Sequence, residues 1–432
     1  MATFEELTAW LNEFVAFHER GGMRQRGDEW YAAMASTVGG SEMAAIMGLS
    51  SYAGFYDVVL SKVAIRRGES GFAGGEACWW GTLFEDAVAD YVAADLGAPV
   101  VGDAICIRAV EGHRNSPDGY IVVRVLTDEQ GEERLWTTAD AADMHRTVPR
   151  VALLEFKSPA SRKPTGSIPR QYVPQVLSGL AVSPIAQFGI FVDAVFRKCS
   201  IFDLGDTPDY DEDYHARDAK RDWSLPVAWG IIGVYAPAVD APRHIRLGWA
   251  AEEWKEGDPS SDGADADASL AAWEINSEYF RERCRRDAPE AADLGEVAPK
   301  VFSRALRLID RKAFKVRRVG PCFADGRGAP LKPGRQVERA VEGLRREAPA
   351  GFWLMGVIPW KLFDVSYVPV PRKHNFMEDA KPMIDRVHAT VAEAMLAPDP
   401  VAFVNARRRA EAPAKRPCVA GHELQSFFDD IT

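Results

Sequence analysis

A glutamate and a lysine at the end of an apolar stretch are the residues of this sequence best suited to chemistry. Residues 151–158 read Val-Ala-Leu-Leu-Glu-Phe-Lys-Ser, which predicts a buried strand that stops at a polar edge. Because side chains alternate along a strand, Glu155 and Lys157 share one face and Phe156 points to the other. A carboxylate beside an ammonium can bind a divalent cation and position the water that it activates. The same pair is also typical of a simple ion pair at a sheet rim.

Three further segments supply polar residues around this strand. Asp118 lies in the turn Ser116-Pro117-Asp118-Gly119, where the proline and glycine fix the backbone direction. Glu85 lies in the first turn of a helix predicted from Trp80 onward. Gln175 lies on a helix that begins near a proline. The chain order is therefore glutamate, aspartate, Glu-x-Lys and a helical glutamine.

This ordered set resembles the lambda-type exonucleases, the YqaJ-like viral recombinase branch of the PD-(D/E)xK nuclease superfamily. The matching segments are Gly39-Gly40-Ser41-Glu42, Gly48-Leu49-Ser50-Ser51-Tyr52, Gly81-Thr82-Leu83-Phe84-Glu85, Ser116-Pro117-Asp118-Gly119, Leu154-Glu155-Phe156-Lys157 and Tyr172-Val173-Pro174-Gln175-Val176. A late segment, Pro359-Trp360-Lys361-Leu362-Phe363-Asp364-Val365, also resembles the closing strand of viral members. The resemblance implies an α/β (α+β) fold with a restriction-endonuclease-like core, in which helices flank a central mixed β-sheet that carries a large insertion.

The resemblance also implies a Mg²⁺-dependent DNA exonuclease, in which Mn²⁺ can substitute and two ions occupy each site. Asp118 and Glu155 would be the direct metal ligands, with the Phe156 carbonyl as a further ligand, and Glu85 would hold the second ion. Lys157 would orient or deprotonate the attacking water, and Gln175 would hydrogen-bond that water or the scissile phosphate. The implied substrate is the end of a linear double-stranded DNA, digested from 5′ to 3′ during viral recombination and replication.

The resemblance assigns a set of residues to DNA binding. In relatives a serine at the position of Ser41 helps to hold the DNA 5′ phosphate, and an arginine is usual at the position of Met34. This departure makes Arg24 or Arg26 candidates to replace the missing arginine. The complete set of expected DNA contacts is Ser41, Tyr52, Arg162, Lys163 and Arg170.

Composition narrows the possible classes of protein. The chain has 432 residues, 47% of them hydrophobic, and a net charge of −11, so that it can bury a large core and is not coated in basic surface. A local positive path for DNA remains possible. The six cysteines are scattered without a C-x-x-C pair, which excludes a disulfide framework, a zinc site and an iron–sulfur cluster. No signal peptide or membrane span is predicted, and we expect a soluble, intracellular protein, in the host nucleus or at a cytoplasmic replication site if viral.

Changes in composition indicate four segments. Residues 1–204 are predicted to hold the nuclease core, where 186–192 and 194–204 resemble two strands. Residues 205–350 resemble an insertion with an acidic low-complexity linker and a basic stretch. Residues 351–398 are predicted to close the core with a strand and a helix over 377–396, and residues 399–432 to form a mobile tail.

The tail has a hydrophobic pattern of its own. Leu424, Phe427 and Phe428 are spaced to share one side of a short helical turn in a polar, linker-tethered segment. This pattern resembles a peptide that binds a sliding clamp (PCNA), although Gly421 stands where such peptides usually carry glutamine. The expected partners are double-stranded DNA ends, a single-strand annealing protein and the clamp, with no membrane.

Two other functions remain open from the sequence. One is a DNA endonuclease of the same superfamily. A Cas4-like nuclease is disfavoured because its clustered cysteines are absent. The other is a non-catalytic adaptor for DNA ends or for the clamp, which the complete set of catalytic residues disfavours. The oligomeric state, a trimeric ring or a monomer, stays open.

Overall fold

The computed structural model describes residues 2–21, 23–24, 28–69, 76–108, 112–128, 131–159, 164–198, 226–237, 315–323 and 335–411. The chain divides into two compact units. Unit 1 consists of Met1–Ala194 and Val365–Thr432, and unit 2 consists of Val195–Asp364.

The helices and strands follow one another along the described segments. The α-helices are α1 (Phe4–Gly21), α2 (Asp28–Met34), α3 (Met43–Ile46), α4 (Phe55–Arg66), α5 (Glu76–Leu96), α6 (Val173–Val182), α7 (Arg335–Arg346), α8 (Phe376–Leu396) and α9 (Pro400–Glu411). The strands are β1 (Met23–Arg24), β2 (Val38–Gly39), β3 (Ile105–Arg108), β4 (His113–Asn115), β5 (Gly119–Thr127), β6 (Glu133–Leu135), β7 (Thr147–Lys157), β8 (Phe188–Lys198), β9 (Ala228–Pro237), β10 (Lys315–Phe323) and β11 (Phe352–Pro371). Short 3-10 helices cover Gly40–Glu42 and Thr138–Arg146.

A mixed sheet forms the frame of unit 1. In it β5 lies between β6 and β7 and is antiparallel to both, whereas β7 and β8 are parallel. A smaller sheet has the order β1-β3-β4-β2, with β2 parallel to β4. Strand β4 leads directly into the turn that carries Asp118, and β5 follows that turn. The smaller sheet therefore holds the backbone on one side of Asp118 and the main sheet holds it on the other.

The main core of unit 1 packs helices against one face of this sheet. Its buried side chains come from α1, α3, α4, α6, α8 and α9 and from alternate positions of β5 and β7, such as Val122 and Leu153. The residues between them, such as Ile121 and Leu154, are buried as well, so that both faces of these two strands are covered. Each large side chain buried in this way stabilises the fold by about 1.5–3 kcal/mol.

The C-terminal end of α6 is fixed by an arginine that follows β11. The Arg372 guanidinium donates hydrogen bonds to the carbonyl oxygens of Leu180 at 2.5 Å, Ser183 at 2.6 Å and Ala186. These carbonyls lie at and just beyond the negative end of the helix dipole, where a cation is stabilising. This anchor helps to set the position of α6, and therefore of Gln175 in its first turn.

The described part of unit 2 contains strands and the helix α7. Strand β9 lies between β10 and β11 and is antiparallel to both. The Tyr235 hydroxyl donates a 2.7 Å hydrogen bond to the Leu344 carbonyl on α7, and Phe196 meets Trp360 edge to face at 5.1 Å.

The predicted fold class, a mixed β-sheet flanked by helices, is confirmed. Helix α8 confirms the helix predicted over 377–396. Two local predictions are wrong. One continuous strand, β8, replaces the break predicted between 192 and 194, and α5 begins at Glu76, so that Glu85 lies in the middle of the helix. Of the helices in the described segments, none is long and apolar enough to cross a membrane.

Candidate active site

Asp118, Glu155 and Lys157 lie together where β5 and β7 meet the sheet edge. Gly119 pairs with Leu154 across the two antiparallel strands, so that Asp118, one residue earlier, comes opposite Glu155. Glu155 is only 3% exposed, and the Lys157 ammonium forms an ion pair with its carboxylate. The pairing register of two apolar strands therefore brings the predicted aspartate to the predicted Glu-x-Lys.

The Asp118 turn is held by close packing and by one short hydrogen bond. The backbone N–H of Phe156 donates to the Asp118 carboxylate at 2.6 Å. A Cβ at Gly119 would lie 2.6 Å from Val100 Cγ1, so only glycine allows the chain to pass at this point. The carboxylate is thereby aimed at the end of β7.

The electrostatics of the cluster are those of crowded, poorly hydrated acids. Burial raises the pKa of Asp118 well above its usual range, and the Glu155 carboxylate raises it further. Burial also raises the pKa of Glu155, against the opposing effect of Lys157. For Lys157, burial favours the neutral amine, but the carboxylates of Glu155 and Asp118 outweigh it and raise the pKa of the ammonium. The cluster stabilises a cation and resists a second negative charge.

Two further predicted residues reach this cluster. The Gln175 side chain hydrogen-bonds the Glu155 carboxylate, and the negative charge of Glu85 raises the pKa of both Asp118 and Glu155. The structure thus brings Glu85, Asp118, Glu155, Lys157 and Gln175 into one electrostatic group, although they come from three elements and a turn.

The donor chemistry of this group fits a divalent cation such as Mg²⁺. Mg²⁺ is usually bound through one or two carboxylates and keeps water and substrate oxygens as its other ligands. Asp118 and Glu155 supply two carboxylates, and burial is the main reason that their pKa values are raised. Within the described segments no three His, Cys, Asp or Glu side chains form a complete metal cage. Two carboxylates leave the other ligand positions of such an ion to water and to substrate oxygens.

The comparisons with known proteins support the resemblance drawn from the sequence motifs. Residues 29–186 match the family model of the YqaJ-like viral recombinase domain. That family resemblance is confirmed.

Similar viral proteins come from African swine fever virus. One, from the strain Badajoz 1971 Vero-adapted, is 36% identical over 215 residues, which are 49% of this chain and 60% of that protein. Its counterpart from the isolate Tick/Malawi/Lil 20-1/1983 is 37% identical over 216 residues, with the same shares. The chain thus matches less than two thirds of the length of these curated relatives.

Among solved structures, this chain is similar to the alkaline exonuclease LHK-Exo from Laribacter hongkongensis. The sequence identity is 21%, the TM-score is 0.26, and the similarity covers 39% of this chain and 74% of the exonuclease.

The turn Gly39-Gly40-Ser41 lies beside cations that were not among the residues predicted from the sequence. A Cβ at Gly39 would lie 3.4 Å from Arg114 Nη2, so the guanidinium stands beside the turn that carries Ser41. Arg114 is 5% exposed, and its guanidinium lies 4.5 Å over the Trp30 ring. The missed signal was its position, two residues before the segment Ser116-Pro117-Asp118-Gly119 begins.

A buried ion pair supports the same turn. Lys62, 1% exposed, contacts both carboxylate oxygens of Glu42 at 2.6 and 2.7 Å. Glu42 also accepts the Gly39 N–H at 2.7 Å. Burial lowers the pKa of Lys62, and Glu42 opposes the shift. The charge of Arg114 also lowers the pKa of Lys62, so the two cations are close to each other.

A polar chain links this turn to α6. His113, fully buried, contacts the Val38 carbonyl through Nδ1 and Ser178 Oγ through Nε2, each at 2.9 Å. Asn115 Nδ2 donates to Ser178 Oγ at 3.2 Å. Gly40 packs directly against these hydrogen-bonded side chains, because a Cβ there would be 2.1 Å from Asn115 Nδ2. The turn, β4 and the helix that carries Gln175 are therefore held in one arrangement.

A further buried carboxylate belongs to the strand next to Lys157. Asp193 is 2% exposed and pairs in register with Lys157 across the parallel strands β7 and β8. The sequence suggests a break between strands at this position and gives no sign of the pairing.

The remaining predicted contacts fall into two groups. Ser41, Tyr52 and Arg170 are exposed on the domain. Arg162, Lys163, Arg26 and the clamp-binding pattern of Leu424, Phe427 and Phe428 lie outside the described residues, as does the side chain of Arg24.

Proposed function

We propose that this chain is a metal-dependent deoxyribonuclease that hydrolyses phosphodiester bonds at the Asp118–Glu155–Lys157 cluster. The observation that carries the proposal is the convergence of two acids with raised pKa values, a charged lysine and Gln175 at one sheet edge. Perturbed acids of this kind concentrate at functional sites. The match to the viral relatives covers 60% of their length, so the activity is proposed for this chain from its own residues.

Each residue has a distinct role in this proposal. Asp118 and Glu155 hold the Mg²⁺ ions, with the Phe156 carbonyl as a further oxygen ligand, and Glu85 contributes to a second ion. Bound Mg²⁺ supplies charge neutralisation and an activated water, and Mn²⁺ can replace it.

Lys157 acts as a cation in this scheme. Its raised pKa means that the ammonium keeps its proton, so we assign it to orienting the water and offsetting charge on the phosphate. The resemblance allows Lys157 either to orient the water or to deprotonate it, and a protonated side chain suits the first role better. Gln175, which hydrogen-bonds Glu155, orients the carboxylate and the scissile phosphate.

We propose double-stranded DNA ends as the substrate, digested from 5′ to 3′, in viral recombination and replication. The Arg114 guanidinium, which stands beside the turn that carries Ser41, supports a bound phosphate at the end of the strand. Arg170 and the tail residues Leu424, Phe427 and Phe428 remain proposed contacts for DNA and for a sliding clamp. A single-strand annealing protein remains a proposed consumer of the product strand.

The experiment that tests this proposal compares labelled DNA substrates. Linear duplexes labelled at the 5′ or the 3′ end, and a covalently closed circle, are incubated with the protein and Mg²⁺. Stepwise loss of 5′ label with an intact circle supports the proposal. Cleavage of the circle would indicate an endonuclease, and binding to ends without hydrolysis would leave a non-catalytic adaptor.

A further inference from the structure

Tyr52 presents a bare aromatic ring to solvent near the proposed active site. It is 84% exposed, more than any other aromatic side chain among the described residues, where Phe17 follows at 66%. Single exposed aromatic residues are common on protein surfaces, so exposure alone assigns no role. The rigidity of its loop and the place of this ring distinguish it.

The loop that carries the ring is tied down by its own backbone and side chains. The Ser50 hydroxyl accepts hydrogen bonds from the N–H groups of Tyr52 at 3.1 Å and Ala53 at 3.3 Å. The N–H groups of Leu49 and Ser50 donate to the Ala44 carbonyl at 2.8 and 3.1 Å. The backbone beneath the ring is therefore held in place before any ligand arrives, which lowers the entropic cost of binding.

Contacts connect this loop to the catalytic cluster. The Ser51 hydroxyl donates to Gln171 Oε1 at 2.9 Å. The next residue along the chain is Tyr172, whose ring centre lies 5.2 Å from Lys157 Nζ. Ser51 thus ties the loop to the segment that packs over Lys157, and Tyr52 is the next residue.

We infer that Tyr52 stacks on an unpaired nucleobase at the DNA end that enters this site. An aromatic face stacks on any base, whereas the faces of bases inside a duplex are already covered by their neighbours. Only a terminal base has an open face at a duplex end, so the ligand is a terminal nucleotide, whose base is free to meet the ring once the end frays. This inference rests on the proposed function and adds to it the recognition of an opened end.

The test is a cycle of variants and substrates, measured as dissociation constants with Ca²⁺ in place of Mg²⁺. The variants are Tyr52→Ala, Tyr52→Phe and, as a matched control, Phe17→Ala on α1. The substrates are a normal duplex end and ends in which each of the terminal nucleotides of either strand is made abasic in turn. Thermal unfolding of each variant checks that the fold is unchanged.

We expect Tyr52→Ala to weaken binding of the normal end about ten-fold or more, while Tyr52→Phe and Phe17→Ala bind like the wild type. Removing the base at the stacked position should abolish the difference between Tyr52→Ala and wild type. Equal affinity of Tyr52→Ala and wild type for the normal end, together with normal cleavage, would overturn this inference alone. The inference would also be overturned if Tyr52→Ala weakened binding by the same factor on every abasic end. A wild-type chain that neither binds nor cleaves DNA ends would overturn the proposed function as well.

Discussion

Asp118 lies opposite Glu155 where β5 begins and β7 ends, and the Glu155 carboxylate is, after burial, the largest cause of the raised pKa of Asp118. A buried acid beside another acid destabilises the fold in exchange for a site that attracts a cation. The electrostatic strain between these two residues leads to the first prediction.

Replacing Asp118 by asparagine should stabilise the protein and inactivate it. An acid whose pKa is raised in the folded state stabilises the fold at low pH, and this stabilisation is lost as the pH rises. At neutral pH the uncharged amide of asparagine therefore removes an unfavourable buried charge. In the presence of a chelator we expect the melting temperature of Asp118→Asn to exceed that of the wild type by a few degrees, about 2–4 °C per kcal/mol. The control is Asp103→Asn, which replaces an exposed carboxylate of the same unit and should leave the melting temperature unchanged. A lower melting temperature for Asp118→Asn would contradict the electrostatic account.

His113 should make stability fall on the acid side. Burial lowers the pKa of His113, and the Arg114 guanidinium adds to the effect against the pull of Glu42 and of the Val38 and Ser178 contacts. A group with a depressed folded-state pKa contributes stability above its unfolded pKa, near 6.5, that is lost as the pH falls through the folded value.

Urea unfolding at a series of pH values below about 7 tests this expectation. The acid-side loss should be shallower in His113→Asn, in which the titrating ring is gone. His145→Asn changes an exposed ring and should reproduce the wild-type dependence. Identical slopes in all three proteins would exclude His113 as the cause.

Arg114 should determine the preference for a 5′ phosphate. Its guanidinium stands beside the Gly39–Ser41 turn, and Met34 occupies the position where an arginine is usual in the family. We expect Arg114→Leu to slow cleavage of 5′-phosphorylated ends by about ten- to hundred-fold, the value of a hydrogen bond to a charged group, and to leave 5′-hydroxyl ends unchanged.

A matched arginine tests whether the effect belongs to that position. Arg124 also lies over an aromatic ring, 4.2 Å above Phe4, but on β5 away from the turn. Arg124→Leu should cleave both kinds of end like the wild type. An equal slowing of both ends in Arg114→Leu would assign Arg114 to the fold instead of to the phosphate.

The sequence alone predicts the parts of the site that depend on short patterns. The strand before Glu155 and Lys157, the Asp118 turn and the Gln175 helix follow from a continuous apolar run and from turn residues, and the structure brings them together. The pairing of Lys62 with Glu42 is beyond such patterns, because a buried ion pair between residues twenty positions apart exists only once α4 has packed.

Buried polar residues and weak periodicity explain the local errors. Asp193 interrupts an apolar run and therefore suggests a strand end, yet β8 continues through it because the Lys157 position of β7 lies alongside. The residues before Trp80 show little helical periodicity, which makes the predicted helix start too late and puts Glu85 in a first turn, whereas α5 begins at Glu76.

The central claim is that the acids and the lysine at the end of β7 hydrolyse DNA with a divalent cation. The most direct measurement is the single-turnover rate on a linear duplex, with Mg²⁺ and with EDTA, for wild type, Glu155→Gln and Lys157→Gln. Glu133→Gln, an exposed glutamate on β6, is the control. We predict hydrolysis by the wild type and the control only with Mg²⁺, and rates at least about 100-fold lower for both site variants. Hydrolysis that persists in EDTA, or at the wild-type rate in Glu155→Gln, would contradict the account.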